Sequence, residues 1–223
     1  MTGFVRNSRR ARFDDWRVRA ALIQAFNFEF TKSALTGGAQ PRITSYFSSP
    51  LHAWKRPSKG AYCRAVDTFC SRYASRPDGR LPTSVSDGSE RNRQGFRSAI
   101  ALLKKARWEP VDGMMQNADG ESLSLTILFA QGKSEHKAIT DLYLGTLKCL
   151  DGAAEVATVD NAQHVERTGK FEFDVTYYLR SLFLSTGNEQ QFYWGIPSTS
   201  MECSRNLMGP QSQAVDEMFA AGS

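Results

Sequence analysis

The sequence predicts an α/β fold, with a mixed, mostly parallel sheet covered by helices. Two period-two stretches and the helix between them carry this reading. In residues 171–179, Phe171, Phe173, Val175, Tyr177 and Leu179 alternate with Glu172, Asp174, Thr176 and Tyr178, the pattern of a strand with one buried face. Leu123, Leu125, Ile127 and Phe129 alternate in the same way. Between them, Ile139, Tyr143, Leu147 and Leu150 share one side of a helix over residues 135–150. With a strand at 154–159 and a short helix at 161–168, the order over 122–179 is strand, helix, strand, helix, strand. That order implies a βαβ unit with parallel strands.

The remaining elements follow in chain order. Asp14 and Asp15 suit the positive end of a helix, with Trp16, Ala20, Ile23 and Phe26 as its expected apolar stripe. The run is expected to continue through Phe28 and Phe30 to Leu35, where Gly37 and Gly38 stop it. Residues 43–47 read as a short extended piece, and residues 61–73 as a possible short helix. The chain is divided into an opening segment, 1–47, an atypical and exposed or poorly ordered stretch, 48–88, and an α/β lobe, 89–223. Residues 91–106 form an amphipathic helix with Phe96, Ile100, Leu103 and Ala106 on its apolar side. Asp112-Gly113 and Asp119-Gly120 are turn signals around Met114 and Met115, so a small hairpin is expected.

Composition excludes several classes. At 223 residues and 41% hydrophobic, the chain has enough apolar mass for a real core. It has no run of eighteen apolar residues to cross a membrane, and its first residues lack a secretory h-region. The net charge of +5 is concentrated in Arg6, Arg9, Arg10, Arg12, Arg17 and Arg19 and in a second zone over 55–107. So modest an excess favours a solvated tail and ordinary helix charges over a nucleic-acid surface. Cys63, Cys70, Cys149 and Cys203, with His only at 52, 136 and 164, show no metal-ligand spacing.

No catalytic constellation emerges. The phosphate-cradling glycine motifs and the G-x-S-x-G elbow are absent. Ser134 and Glu135 before His136 read as a helix cap with a dipole complement. His164 reads as a solvated helix residue, and Glu172 with Asp174 as a solvated strand face. The chain is therefore expected to be a binding protein without a cofactor. The strand at 171–179 feeds a polar loop, Ser185 to Gln190, and then Phe192, Tyr193 and Trp194, an arrangement suited to recognition.

A set of blocks gives this pattern a family resemblance. They are residues 13–22 (FDDWRVRAAL), 26–30, 86–93, 101–106, 173–176 (FDVT), 187–190 (GNEQ), 193–195 (YWG), 204–209 (SRNLMG) and 214–216 (AVD). In this order the chain resembles the family 5 extracellular solute-binding proteins, the oligopeptide and microcin C-type peptide-capturing components of ABC importers. The resemblance implies a periplasmic-binding-protein-like lobe, incomplete relative to the family, because it covers most of the second lobe. It implies a peptide ligand, an ABC permease as partner and a periplasmic location. Without a leader, a complete chain would be cytoplasmic. It places peptide contacts at Arg180, Asn188, Glu189, Tyr193, Trp194 and Asn206, with Arg180 facing a peptide carboxylate and Glu189 a peptide amine. Core packing remains open for Tyr193 and Trp194, and helix capping for Asn206.

Residues 48–85 depart from the family pattern. They resemble the product of a shifted reading frame, a hypothesis that fails if the encoding DNA carries no compensating insertions or deletions. The alternative function is a truncated or repurposed lobe acting as an accessory subunit, with a protein partner covering the edge left by the missing lobe.

Overall fold

A computed structural model describes residues 2–39, 42, 85–132, 134–179, 189–213 and 215–217. The expected extended piece at 43–47, helix at 61–73 and frame-shifted stretch at 48–84 lie outside the described residues. Two compact units are present. The described part of one is 2–39, 42, 85–132 and 134–178; that of the other is Leu179, 189–213 and 215–217.

The larger unit is built on a four-stranded sheet. Its strands are β1 (Thr2–Arg6), β4 (Ser124–Ala130), β5 (Ala153–Val159) and β6 (Val175–Leu179), in the order β1-β6-β4-β5. A separate antiparallel hairpin joins β2 (Glu109–Val111) to β3 (Met114–Gln116). Its two-residue turn places both Asp112 (φ 49°) and Gly113 (φ 77°) in the left-handed region, as the twist of a tight hairpin requires. β4 is parallel to β5, with Ser124 opposite Ala153 and Ala130 opposite Val159. It is also parallel to β6, with Ile127 opposite Val175. The βαβ unit is thus present, closed by α4 (Ser134–Lys148).

Helices cover both faces of the central strand. Ile127 and Leu128 are consecutive yet both buried, the mark of a parallel strand lying between two helical layers. α5 (Asn161–Gly169) packs on β4, while α4 packs on β5 and on α1 (Trp16–Ala25). α3 (Arg93–Lys105) lies against α1, and α2 (Phe28–Thr36) against α4.

Four expectations need correction. First, the opening helix is two helices. Asn27 accepts a hydrogen bond from the Phe30 amide (3.3 Å) and donates to the Ser89 carbonyl (2.7 Å). A side chain that caps one helix while tying down a distant loop ends the preceding helix at Ala25. Second, α1 buries Val18, Ala21, Leu22 and Ala25, whereas Trp16 and Ile23 of the expected stripe are exposed. These residues face α3 and α4, and Gly95 of α3 lets α1 and α3 approach closely, since a Cβ there would meet the Gln24 carbonyl. Third, α3 buries Gly95, Ala99 and Leu103, with Phe96 half-buried against the core and Ile100 left exposed.

Fourth, the basic start of the chain is no solvated tail. Thr2–Arg6 is a strand of the sheet, and Asn7 donates from its side chain to the carbonyls of Phe171 (2.9 Å) and Phe173 (3.1 Å). Those bonds hold Phe171 at a φ of 57°, so the last strand begins at Val175 and not at Phe171. Asp174, expected on a solvated face, pairs with Arg10 (3.4 Å) and Arg12 (3.6 Å) and accepts from the Thr126 amide (3.0 Å).

Candidate functional site

In open α/β sheets, ligands approach the carboxyl ends of the strands. In the larger unit that end is aromatic. The Tyr177 ring stacks on Phe129 (6.0 Å between centroids), meets Phe4 edge-on (5.8 Å) and lies 3.7 Å from His136 at the start of α4. Beneath, Tyr143 packs against Phe4 (5.4 Å) and Phe26 (5.3 Å), and its hydroxyl donates to the Leu22 carbonyl (3.0 Å). Burial pushes the Tyr143 hydroxyl up to about 12, partly opposed by the Arg6 guanidinium, whose own pKa burial lowers. A cavity of about 510 Å³ opens beside this cluster, between Phe129, Leu144, Val156 and Thr158 and the exposed ion pair of Lys137 with Asp141 (2.9 Å). On the opposite face of the sheet, His164 Nε2 lies 3.2 Å from the Thr176 hydroxyl, which donates to the Leu128 carbonyl (3.1 Å). Burial lowers the His164 pKa, with Arg167 adding to the shift.

The second unit carries the described part of the predicted recognition segment. Arg180 and Asn188 lie outside the described residues. Glu189, half-buried, precedes the short helix α6 (Gln190–Trp194) and accepts a long hydrogen bond from the Gln190 amide group (3.4 Å). Tyr193 is 6% exposed: its hydroxyl accepts from Arg205 (2.8 Å), and the guanidinium sits 5.6 Å from the ring centre. Trp194 is half-buried, while Phe192 on the outer side is 53% exposed.

Asn206 is fully buried and organises the segment that carries α6. Its Nδ2 donates among the Gly195 carbonyl (3.2 Å), Ser198 Oγ (3.1 Å) and Thr199 Oγ1 (3.3 Å), and its Oδ1 accepts from the Gly209 amide (3.0 Å). Tyr193 and Asn206 are thus both buried as supports, each through its own partners, with Glu189 and Trp194 more accessible. Sequence reasoning missed two partners. Arg205 stands twelve positions from Tyr193, with no local pattern to pair them. Asp216 was visible as the last residue of the AVD block, but nothing there disclosed that its carboxylate accepts from the Ile196 amide (3.1 and 3.3 Å) and lines a cavity beside α6.

A mostly parallel sheet between helices, with aromatics at its strand ends, is a fold of the periplasmic-binding type. Solved structures share the fold. The oligopeptide-binding protein AppA of Bacillus subtilis, in complex with a nonapeptide, superposes with a TM-score of 0.73 at 20% identity over 99% of this chain and 38% of that one. The Thermus thermophilus oligopeptide-binding protein, complexed with a pentapeptide, gives 0.67 at 14% identity over 99% of this chain and 36% of that one.

Residues 1–200 match the profile of the bacterial extracellular solute-binding proteins, family 5, middle region, and the chain belongs to that family. A Brucella melitensis protein is 34% identical over 225 residues, which cover 99% of this chain and 36% of that one. The Agrobacterium fabrum "Probable peptide-binding protein YejA" is 31% identical over 228 residues, 98% of this chain and 36% of that one. The peptidoglycan-binding protein YepA of the same organism is 28% identical over 230 residues, 99% and 36%. The chain spans about a third of the length of these relatives. Family and fold are those of binding proteins and not of enzymes. Among the described residues no helix is long and apolar enough to cross a membrane.

Proposed function

We propose that the chain is a peptide-binding lobe of an ABC-importer substrate-binding protein. It would work in the periplasm, with an ABC permease as its membrane partner. Membership of the family carries this reading. It is supported by a relative named as peptide-binding and by fold neighbours solved with a nonapeptide and a pentapeptide. An extended peptide gains affinity from its backbone groups and specificity from side-chain pockets. Glu189 meets the peptide amine, Arg180 its carboxylate, and Asn188 and the Trp194 ring the chain between. Tyr193 and Asn206 hold the segment in place, the first through Arg205 and the second through its buried amide. Closure of a partner lobe would complete the site, so a lobe acting alone retains only part of the affinity.

Calorimetry of the full chain with a mixed peptide library tests this. Saturable heat at micromolar to millimolar peptide is expected. Glu189→Gln should weaken peptides with a free amino terminus and leave N-acetylated ones unchanged. No heat at millimolar peptide would overturn the reading.

A further inference from the structure

Beside α6 lies a cavity of about 360 Å³ with mostly apolar walls from Phe192, Pro197 and Met201. Its size is near the lower end of small-molecule sites, roughly 300–1,000 Å³, so it suits one side chain and not a whole peptide. Phe192 and Met201 are both about half exposed, leaving their apolar surface open to a ligand. Among the described residues, the one carboxylate on the wall belongs to Asp216. Among the described residues it accepts only the shared Ile196 amide and has no ion-pair partner. A carboxylate has about four acceptor positions, so one bifurcated amide leaves most of them open.

We propose that this cavity is a subsite for a basic side chain of the bound peptide. The aliphatic stem of lysine or arginine would lie along Met201 and Pro197, as such stems do on apolar surface. The cationic head would reach the Asp216 carboxylate, and the Phe192 ring would offer its electron-rich face. An apolar side chain would fill the same walls but leave the carboxylate unpaired. An acidic one would meet like charge. The subsite rests on the peptide-binding reading above and adds a charge preference to it.

The full chain is titrated with tripeptides that differ only in a central Lys, Leu or Glu. The Lys peptide should bind about tenfold tighter than the Leu peptide, the effect of one net charge-assisted hydrogen bond, and the Glu peptide weakest. Asp216→Asn keeps an oxygen for the Ile196 amide, so the segment stays capped, and it should erase the Lys preference while sparing Leu binding. In parallel, n-butylammonium should move the Met201 methyl NMR signal saturably, butyrate should not, and Asp216→Asn should abolish the response. Equal affinity for the three peptides, or a Lys preference intact in Asp216→Asn, overturns the subsite and leaves peptide binding standing. A Met201 response to butylammonium without binding of any peptide keeps the subsite and removes the peptide reading. A silent Met201 overturns the subsite.

Discussion

Asn206→Ala is the sharpest test of how the segment carrying α6 is held. The side chain is fully buried, and its amide hydrogens are shared among three oxygens. Those oxygens do not lose everything with it. The Gly195 carbonyl still accepts from the Ser198 amide (3.2 Å) and hydroxyl (2.6 Å), and the Thr199 hydroxyl still donates to the Pro210 carbonyl (3.1 Å). The group left without its bond is the Gly209 amide, which donates to Asn206 Oδ1. An orphaned buried donor costs about 1–3 kcal/mol, and the lost hydrogen bonds add about 1 kcal/mol net. A total of roughly 3 kcal/mol is therefore expected, equivalent to about a hundredfold in the opening equilibrium. Amide hydrogen exchange over 195–209 reads this directly, without requiring the larger unit to unfold at the same time. Asn206→Asp is the discriminating companion. It keeps an acceptor for Gly209 but turns a carboxylate toward oxygens, so it should be at least as damaging at neutral pH and recover once protonated. Exchange within threefold of the parent in Asn206→Ala would refute the reasoning, as would an Asn206→Asp variant indifferent to pH.

Gly95→Ala sets helix propensity against packing. The new methyl would stand 2.5 Å from the Gln24 carbonyl of α1 and 2.4 Å from the Asn92 side chain. The helix gains about 1 kcal/mol from alanine. Overpacking costs about 1–3 kcal/mol, and here the obstacle is backbone, so a lower melting temperature is expected and a raised one would refute the clash. For His164, burial first and then Arg167 depress the folded pKa below its ordinary value near 6.5. The neutral ring therefore contributes stability above about pH 6.5, lost as the pH falls through the folded pKa. An NMR titration of the His164 ring with a midpoint at or above 6.5 would contradict this.

What could be read in advance followed local pattern. The β4 alternation, the α4 stripe with Tyr143 and Leu147, and the Asp112-Gly113 turn are each set by residues within a few positions of one another. The β6 alternation holds only for Phe173 and Val175: Thr176, expected outside, is fully buried under α5, and Leu179, expected inside, is 68% exposed. What could not be read depends on distant partners. β1 offers too short an alternation to be a strand by itself and acquires that identity by pairing with β6 far along the chain. The α1–α2 break had a local signal, Asn27 followed by Glu29, but the expected continuous stripe masked it. Its cause is reinforced from afar, since Ser86 donates to Asn27 Oδ1 (2.6 Å) and to Glu29 Oε2 (2.8 Å). The blocks drew attention to the segment around α6, whose ligand contacts are part of the proposed function. Which of its residues are tied into the fold and which are left accessible depends on Arg205, Gly209 and Asp216, whose contacts with it span gaps of three to twenty positions.

The fate of the arginine run shows why charge counted along a sequence misleads. Six arginines in the first nineteen residues are a formal basic cluster, and a surface of that kind would bind polyanions with strong salt dependence. In the folded chain they are directed inward and sideways. Arg9 sits 3.7 Å over the Phe171 ring, Arg10 and Arg12 converge on Asp174, and Arg17 closes on Asp15 (2.6 Å). Arg19 donates to the Phe13 and Asp14 carbonyls, and Arg6 lies against Tyr143. Each contact is individually modest where it is exposed. Three of them act on position: Arg9, Arg10 and Arg12, together with Asn7, fasten the turn after the first strand to the start of β6. β6 in turn carries Tyr177 to the strand ends where ligands of this fold class approach. The basic start of the chain is thus, through Arg9, Arg10 and Arg12, part of the scaffold that presents the aromatic strand end.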